Sequence, residues 1–469
     1  MSIKDKLYRT ALAVYFKCER IPVLSSINLA GYRMLASFTN PKARRGKYDR
    51  FAALQAAHSV QDVSKLRLAM IADTMTYDCF SSTCECIALT ASDWQKQMLK
   101  FKPHIFFCES AWLGSKESNF CWRGQLYRNK TVFFNNRKTV EDILDFCRKN
   151  GIPTVFFNKE DPTSFDDPYH CFTDLALKFD HIYTTAEECV KRYEALGAKH
   201  CDCMQMGVSL ALYNPIKKAG AQGNGAVFAG SWFAEFADRC ADMRALFDQM
   251  IDSGIALTVY DRNYGGSNPQ KQFPGEYQGC IKPSIPFDKL GEVLKGYTYA
   301  LNINTVKDSK TMFARRVFEV MALGLYVISN ESVGLRALFG DSMSFIGESL
   351  PDEAKRAEAI RKNLNYVIKN HSYRSRLLQI CDDIGIKVQH RVPVIGTEDK
   401  PDVDCYLTAP LADEQAALLA LHFEYLPKGV GIKFAGEGES FVITECQKGD
   451  ALLYRAADGF PDKAVYIPV

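Results

Sequence analysis

Residues 302–324, NINTVKDSKTMFARRVFEVMALG, decide how this chain reads. The apolar run 299–303 ends at Asn302–Asn304, a polar loop holding Ser309 and Thr311 follows, and a helical pattern spans 312–323. On that helix Arg316 and Glu319 stand three apart and therefore share a face. A strand, loop and helix in this order form the repeating step of a parallel sheet covered by helices. An Arg at a helix start suits a diphosphate, and a carboxylate one turn further suits a ribose diol. A plain surface ion pair would use the same spacing.

Working outward, the alternation continues on both sides. Strands are expected at 226–229, 256–260 and 326–329, with helices at 237–253 and 286–295 and charged helices within 353–390. An earlier set has strands at 66–72, 104–108, 153–157 and 181–184, and helices at 92–100, 139–150, 172–179 and 186–196. Residues 73–82 read as a loop. NPIKKAGAQGNG (214–225) lacks periodicity and reads as a linker. The expected fold class is α/β, with two Rossmann-like domains facing a cleft and a small C-terminal α/β appendage. The expected division is a basic segment 1–60, an N-terminal half 61–213, the linker 214–225, a C-terminal half 226–390 and the appendage 400–469. A helix is expected there at 412–426, with short strands in VGIKFA, SFVIT and AVYIPV.

Composition bounds the class. The 469 residues are 47% hydrophobic and 24% charged, as in a soluble globular protein. No apolar run approaches the roughly 18 residues that a spanning helix needs. The sixteen Cys are scattered without a CxxC, which predicts a reduced, cytoplasmic setting. The net charge of +3 is unevenly placed: residues 1–50 hold eleven Lys/Arg against three acids, leaving 47 basic against 52 acidic residues elsewhere. A nucleic-acid binder would spread its cations over the folded domain, so no nucleic-acid partner is expected. The segment could lie on an anionic membrane surface, placing the chain peripherally on the inner face of the cell membrane. It could equally be a surface helix packed on the protein.

Ligands of open α/β sheets bind beyond the carboxyl ends of the strands. That rule selects Gly230 and Ser231 in AGSWF, where a close backbone approach could hold a phosphate or simply make a tight turn. It also selects the acids after two N-terminal strands: Glu109, and the pair Glu160 and Asp161. These are the candidate bases for an acceptor hydroxyl, Glu109 first and Asp161 second; structural anchoring is the other reading. Neither GxGxxG nor a Walker A motif occurs. His200-Cys201-Asp202-Cys203 lacks a second pair at zinc-site spacing, so no metal site is expected. Trp112, Trp122 and Trp232 could stack on a sugar or pack in the core.

Seven segments, in order, resemble the GT-B glycosyltransferases of the CgeB-like, or spore-maturation, group. They are KPHIFFCESAWLG (102–114), NKEDPTSFDD (158–167), FDHIYTTAEECVKRY (179–193), FAGSWF (228–233), VYDR (259–262), ALNINTVKDS (300–309) and SKTMFARRVFEVMALGLYVISN (309–330). The resemblance implies a GT-B fold and transfer of a sugar from a nucleotide-diphosphate sugar, a UDP-sugar being expected, to a hydroxyl acceptor. The acceptor would be a cell-surface glycan or a lipid-linked precursor. By position, Glu319 resembles the glutamate that holds the donor ribose, and Arg316 and Arg239 resemble cationic diphosphate partners. Gly230 and Ser231 correspond to the phosphate loop, Tyr260–Arg262 to a base-side loop, and Asn304, Ser309 and Thr311 to the donor-side loop. The large retaining families carry a second glutamate eight residues before the ribose-binding one; Thr311 stands there, which leaves inversion open. Arg and backbone N–H groups would stabilise the departing diphosphate without an obligatory metal or other cofactor, and the only DxD, Asp402–Asp404, lies in the appendage. The rival readings are a nucleotide-sugar epimerase and a non-catalytic envelope or spore-layer protein that keeps the fold.

Overall fold

The computed structural model describes residues 40–55, 58–128, 137–217, 225–398, 403–436 and 439–468. Residues 1–39 of the basic segment and 218–224 of the expected linker lie outside the described residues. Two compact units divide the chain: Met1–Met206 with Leu378–Gln389, and Gly207–Leu377 with His390–Val469.

The first unit is built on six parallel strands: β1 Arg67–Ile71, β2 Glu85–Ala88, β3 Ile105–Glu109, β4 Thr154–Asn158, β5 His181–Thr184 and β6 Cys201–Cys203. Their order is β2-β1-β3-β4-β5-β6, with every pairing parallel. Every residue of β3 and β4 is buried, because helices cover both faces and the strands are mainly apolar rather than alternating. Four helices do the covering: α1 Thr74–Ser81, α2 Trp94–Phe101, α3 Lys138–Lys149 and α4 Glu187–Ala195. On α3, Val140, Ile143, Leu144 and Cys147 face inward at helical spacing. The first correction is α1, which occupies the stretch expected to be a loop. Only Thr76, Cys79 and Phe80 of it are buried, too few to produce an apolar period. The His200–Cys203 stretch supplies β6, an edge strand pairing Ile182 with Cys201 that the sequence pattern does not mark. The helix expected at 172–179 shrinks to Thr173–Ala176.

In the second unit the strands are β7 Ala226–Gly230, β8 Leu257–Asp261, β9 Ile281–Pro283, β10 Tyr299–Asn302, β11 Tyr326–Ser329 and β12 Ser344–Phe345. They lie in the order β9-β8-β7-β10-β11-β12, all parallel. The order reverses between β7 and β10, the position where a doubly wound sheet opens a crevice at its carboxyl edge. Successive residues alternate between two cores: Val227, Ala300 and Val327 belong to one, Phe228, Leu301 and Ile328 to the other. The helices include α5 Ala237–Asp252, α6 Phe287–Leu294, α7 Arg316–Ala322, α8 Val333–Phe339 and α9 Glu353–His371. α7 starts four residues later than its pattern suggests. Ser309 Oγ accepts the Thr311 and Met312 N–H groups, and Asn304 Oδ1 accepts that of Ala314, so side chains take the donors of the expected first turn.

The C-terminal appendage belongs to this unit. Its six-stranded mixed sheet begins at Ile395–Gly396 and ends at Lys463–Tyr466, around a core that includes Leu419, Ile432, Leu453 and Val465. Leu421, Tyr425 and Phe441 pack against the first of the two Rossmann cores. The helix expected at 412–426 runs Asp413–Leu421 and closes in a 3-10 turn, His422–Glu424.

Candidate functional site

At the carboxyl edge of the second sheet, β7 ends in Gly230 and Ser231. Gly230 has no room for a side chain: a Cβ there would lie 2.6 Å from the buried Phe228 ring. Its carbonyl accepts the Arg262 N–H at 3.0 Å, tying the ends of β7 and β8. Arg239, from α5, donates Nη1 to the Ser231 carbonyl at 3.1 Å. Ser231 Oγ is buried and has no hydrogen-bond partner. The start of α7 supplies two more guanidinium groups. Arg315 Nε is 2.8 Å from Glu319 Oε1, and Arg316 Nη1 is 2.9 Å from Glu319 Oε2, the latter pair in contact without hydrogen-bond alignment. Glu319 is 2% exposed.

The electrostatics are one-sided. Burial lowers the Arg262 pKa from its ordinary value, and the nearby Arg316 and Arg315 lower it further. Arg239 is lowered likewise, by burial first, with Arg262 adding to it. Arg315 and Arg316 thus pair with Glu319, Arg262 is influenced by all three, and Arg239 by Arg262 and Glu235. Neighbouring cations are stabilised by an anion, and planar forks match a phosphate.

Not every expected donor residue joins them. Asn304 spends its side chain on Ala314, Ser329 and Asn330, so it anchors the loop. Ser309 holds the same loop through Thr311 and Met312. Tyr260 stands apart, its hydroxyl 3.1 Å from that of Tyr297 and its pKa pushed up to about 12 by burial first and by Tyr297 second. Arg315 was not anticipated; its i,i+4 relation to Glu319 in the doublet Arg315-Arg316 is the signal that marks it. A cavity of about 630 Å³, lined in part by Tyr297, Leu323, Arg356 and Phe441, lies at the amino ends of β10 and β11, away from the arginines.

The first unit also gathers charge at its carboxyl edge, of a different kind. Glu109, at the end of β3, is 0% exposed and in contact with the Lys159 ammonium. Lys159 Nζ also lies 3.1 Å from Asp73 Oδ2. Burial disfavours the charged lysine, yet Glu109 and Asp73 outweigh it and hold the ammonium above the usual range. Burial pushes Glu109 up, with Lys159 opposing. Asp73 accepts the N–H groups of Trp112, Leu113 and Gly114, fastening the loop after β3. Asp161, 0% exposed, accepts from Asn158, Thr184 and Tyr193 at 2.9, 2.7 and 3.2 Å, and burial raises its pKa to about 7. Neither of the two first-choice bases therefore offers an oxygen to solvent.

Glu160 differs. It is half-buried, takes the Trp112 Nε1–H on Oε1 at 3.0 Å, and is raised by burial while Lys159 opposes the shift. Trp112 packs edge-on against His170 and Phe172, with ring centroids 5.1 and 5.4 Å away. Trp122 is buried with its N–H on the Leu89 carbonyl, and Trp232 is buried beneath Arg244, so both are core residues. Lys159 and Asp73 were also not anticipated, although each directly follows an apolar strand or its last residue. No cluster of metal-ligating side chains occurs among the described residues.

Residues 244–382 match a family model described as "Glycosyl transferase-like". A search of curated proteins finds no match. Among solved structures, a sucrose-phosphate synthase from Thermosynechococcus elongatus is similar at 10% identity and a TM-score of 0.41, covering 68% of this chain and 98% of its own. A glycosyltransferase from Rickettsia africae follows at 12% and 0.40, with 68% and 98% covered. An Anabaena protein, HepE, in complex with UDP-glucose, gives 12% and 0.34, with 70% and 97% covered. Scores this low carry no argument, so the fold rests on the strand order above. The family match covers Arg262, Arg315, Arg316 and Glu319, while Gly230, Ser231 and Arg239 lie outside it.

Proposed function

We propose that the chain transfers a sugar from a nucleotide-diphosphate sugar to a hydroxyl acceptor. The observation that carries the reading is the set of guanidinium groups in the second unit: Arg239 on the Ser231 carbonyl, Arg262 tied by its N–H to Gly230, and Arg315 and Arg316 on Glu319, with residues 244–382 matched by a glycosyltransferase-like model. Cleaving the sugar–phosphate bond develops negative charge on the departing nucleotide diphosphate. Fixed guanidinium groups stabilise that charge without reorganising, and Ser231 Oγ adds a donor that has no other partner. Glu319, held between two arginines, accepts from the ribose hydroxyls. With four cations in place the leaving group needs no metal to balance it. A UDP-sugar is the working donor, and the finer placement is the CgeB-like group.

An inverting transfer needs a base on the acceptor side, and Glu160 fills that role in this reading. It alone among the three candidate acids is partly exposed, and its burial-raised pKa strengthens it as a base. The acceptor is a glycan hydroxyl or a lipid-linked precursor. The test is release of free nucleotide diphosphate from a panel of nucleotide sugars with and without acceptor glycans. Glu160→Gln should cut acceptor-dependent release by about a thousandfold while leaving donor binding unchanged. Release that ignores the acceptor, or a Glu160→Gln protein with full turnover, contradicts the reading.

A further inference from the structure

In the first unit two thiols meet: the Sγ atoms of Cys84 and Cys86 lie 3.6 Å apart. The local backbone brings this about. The Thr83 and Cys84 N–H groups both donate to the Phe80 carbonyl at 2.9 Å, closing the turn after α1. Glu85 N–H then donates to the Leu66 carbonyl at 3.0 Å, and β2 begins beside β1 with Cys86 opposite Leu68. Residues two apart along a strand share a face. Cys84 and Cys86 therefore turn to one side, and the exposed Glu85 turns to the other.

The two thiols differ in a way that suits exchange chemistry. Cys84 is buried, whereas Cys86 is partly exposed on the edge strand of the sheet. Cys84 keeps its proton: its contact with Cys86 first, and burial second, raise its pKa well above the ordinary value, with Cys381 and Glu85 adding less. Cys381 is a third thiol, buried on the helix Tyr373–Ile384. Cys86 is thus the sulfur that a reagent can reach, and Cys84 is a thiol held against it.

We propose that Cys84 and Cys86 form a reversible modification site, a dithiol that low-molecular-weight disulfides of the glutathione class convert to an intramolecular disulfide. The Cys86 thiolate attacks one sulfur of the reagent, which makes a mixed disulfide and expels one thiolate. Cys84 then attacks the Cys86 sulfur and expels the second. Both protein thiols give their protons to solvent, which returns them to the two thiolates released. Two protein thiols are oxidised and one disulfide is reduced to two thiols, so atoms and electrons balance. A single residue separates the pair, so the ring it closes is small and the bond is of the labile, readily reduced kind. Transient bonds of that kind suit a reducing compartment, where lasting bridges do not persist. This goes beyond the transferase reading and does not rest on it; neither donor nor acceptor enters the chemistry.

The test exposes the folded, full chain to oxidised glutathione, quenches with acid, alkylates the remaining thiols after denaturation and weighs the tryptic peptides. Peptide 68–96 holds Cys79, Cys84 and Cys86, and should take up one alkyl group in place of three. Dithiothreitol before alkylation should restore all three. Cys79→Ser should still form the bond. Cys84→Ser should instead trap glutathione on Cys86, a mass gain of about 305 Da, and Cys86→Ser should leave Cys84 reduced. The wild-type readout needs no variant, so a destabilised Cys84→Ser protein does not shield the proposal. Three alkyl groups on the treated wild-type peptide overturn it, as does a bond from either thiol to Cys79 or Cys381. A folded Cys84→Ser protein whose Cys86 stays free overturns it too.

Discussion

The two parallel sheets end in charged clusters of opposite design. In the first unit, Lys159 is enclosed by Glu109 and Asp73, and Asp73 also takes three backbone N–H groups. In the second, four arginines face one buried carboxylate and a peripheral one, and a buried hydroxyl, Ser231 Oγ, has no partner. In one cluster the cation lies between two carboxylates; the other has an excess of like charge that an anion would relieve. The same position in the same architecture thus holds a balanced ion pair in one unit and a surplus of cations in the other.

Removing a cation should separate the two. Lys159→Met leaves Glu109 buried and unpaired, and should cost about 3–5 kcal/mol in urea unfolding. Replacing both partners, Lys159→Met with Glu109→Leu, should recover most of that loss. If the single change is silent, the first cluster is not the structural device described.

A smaller effect comes from Asp161, whose ordinary pKa of 3.8 rises to about 7 in the fold. The folded chain therefore holds this proton more tightly than the unfolded chain. The stability it contributes is full below 3.8, falls as pH rises toward about 7, and stays lost above. Asp161→Asn keeps the contacts to Thr184 and Tyr193 and should flatten that part of the pH–stability curve. An unchanged slope between pH 4 and 7 would count against it.

Much of the architecture is legible in residues that repeat a pattern. Ile105–Glu109 and Thr154–Asn158 are buried along their whole length, and such strands announce themselves as apolar runs. Edge strands do not: Glu85–Ala88 is only partly buried, and Cys201–Cys203 resembles ligand chemistry more than sheet. The late start of the Arg316–Ala322 helix depends on Asn304 and Ser309 capturing N–H groups, a competition that periodicity cannot register. Arg316 and Glu319 are visible through helical spacing. The enclosure of Glu109 is not, since it depends on Lys159 reaching across from the neighbouring strand's end.

The central claim is that the arginines of the second unit hold a nucleotide diphosphate, and calorimetry with UDP in the presence of a chelator tests it most directly. The wild type should bind. Arg316→Ala should bind about a hundredfold more weakly, a loss of about 3 kcal/mol, with its unfolding midpoint little changed. Equal affinity in the two proteins, or no binding by the wild type to UDP or to any other nucleoside diphosphate, would contradict the account.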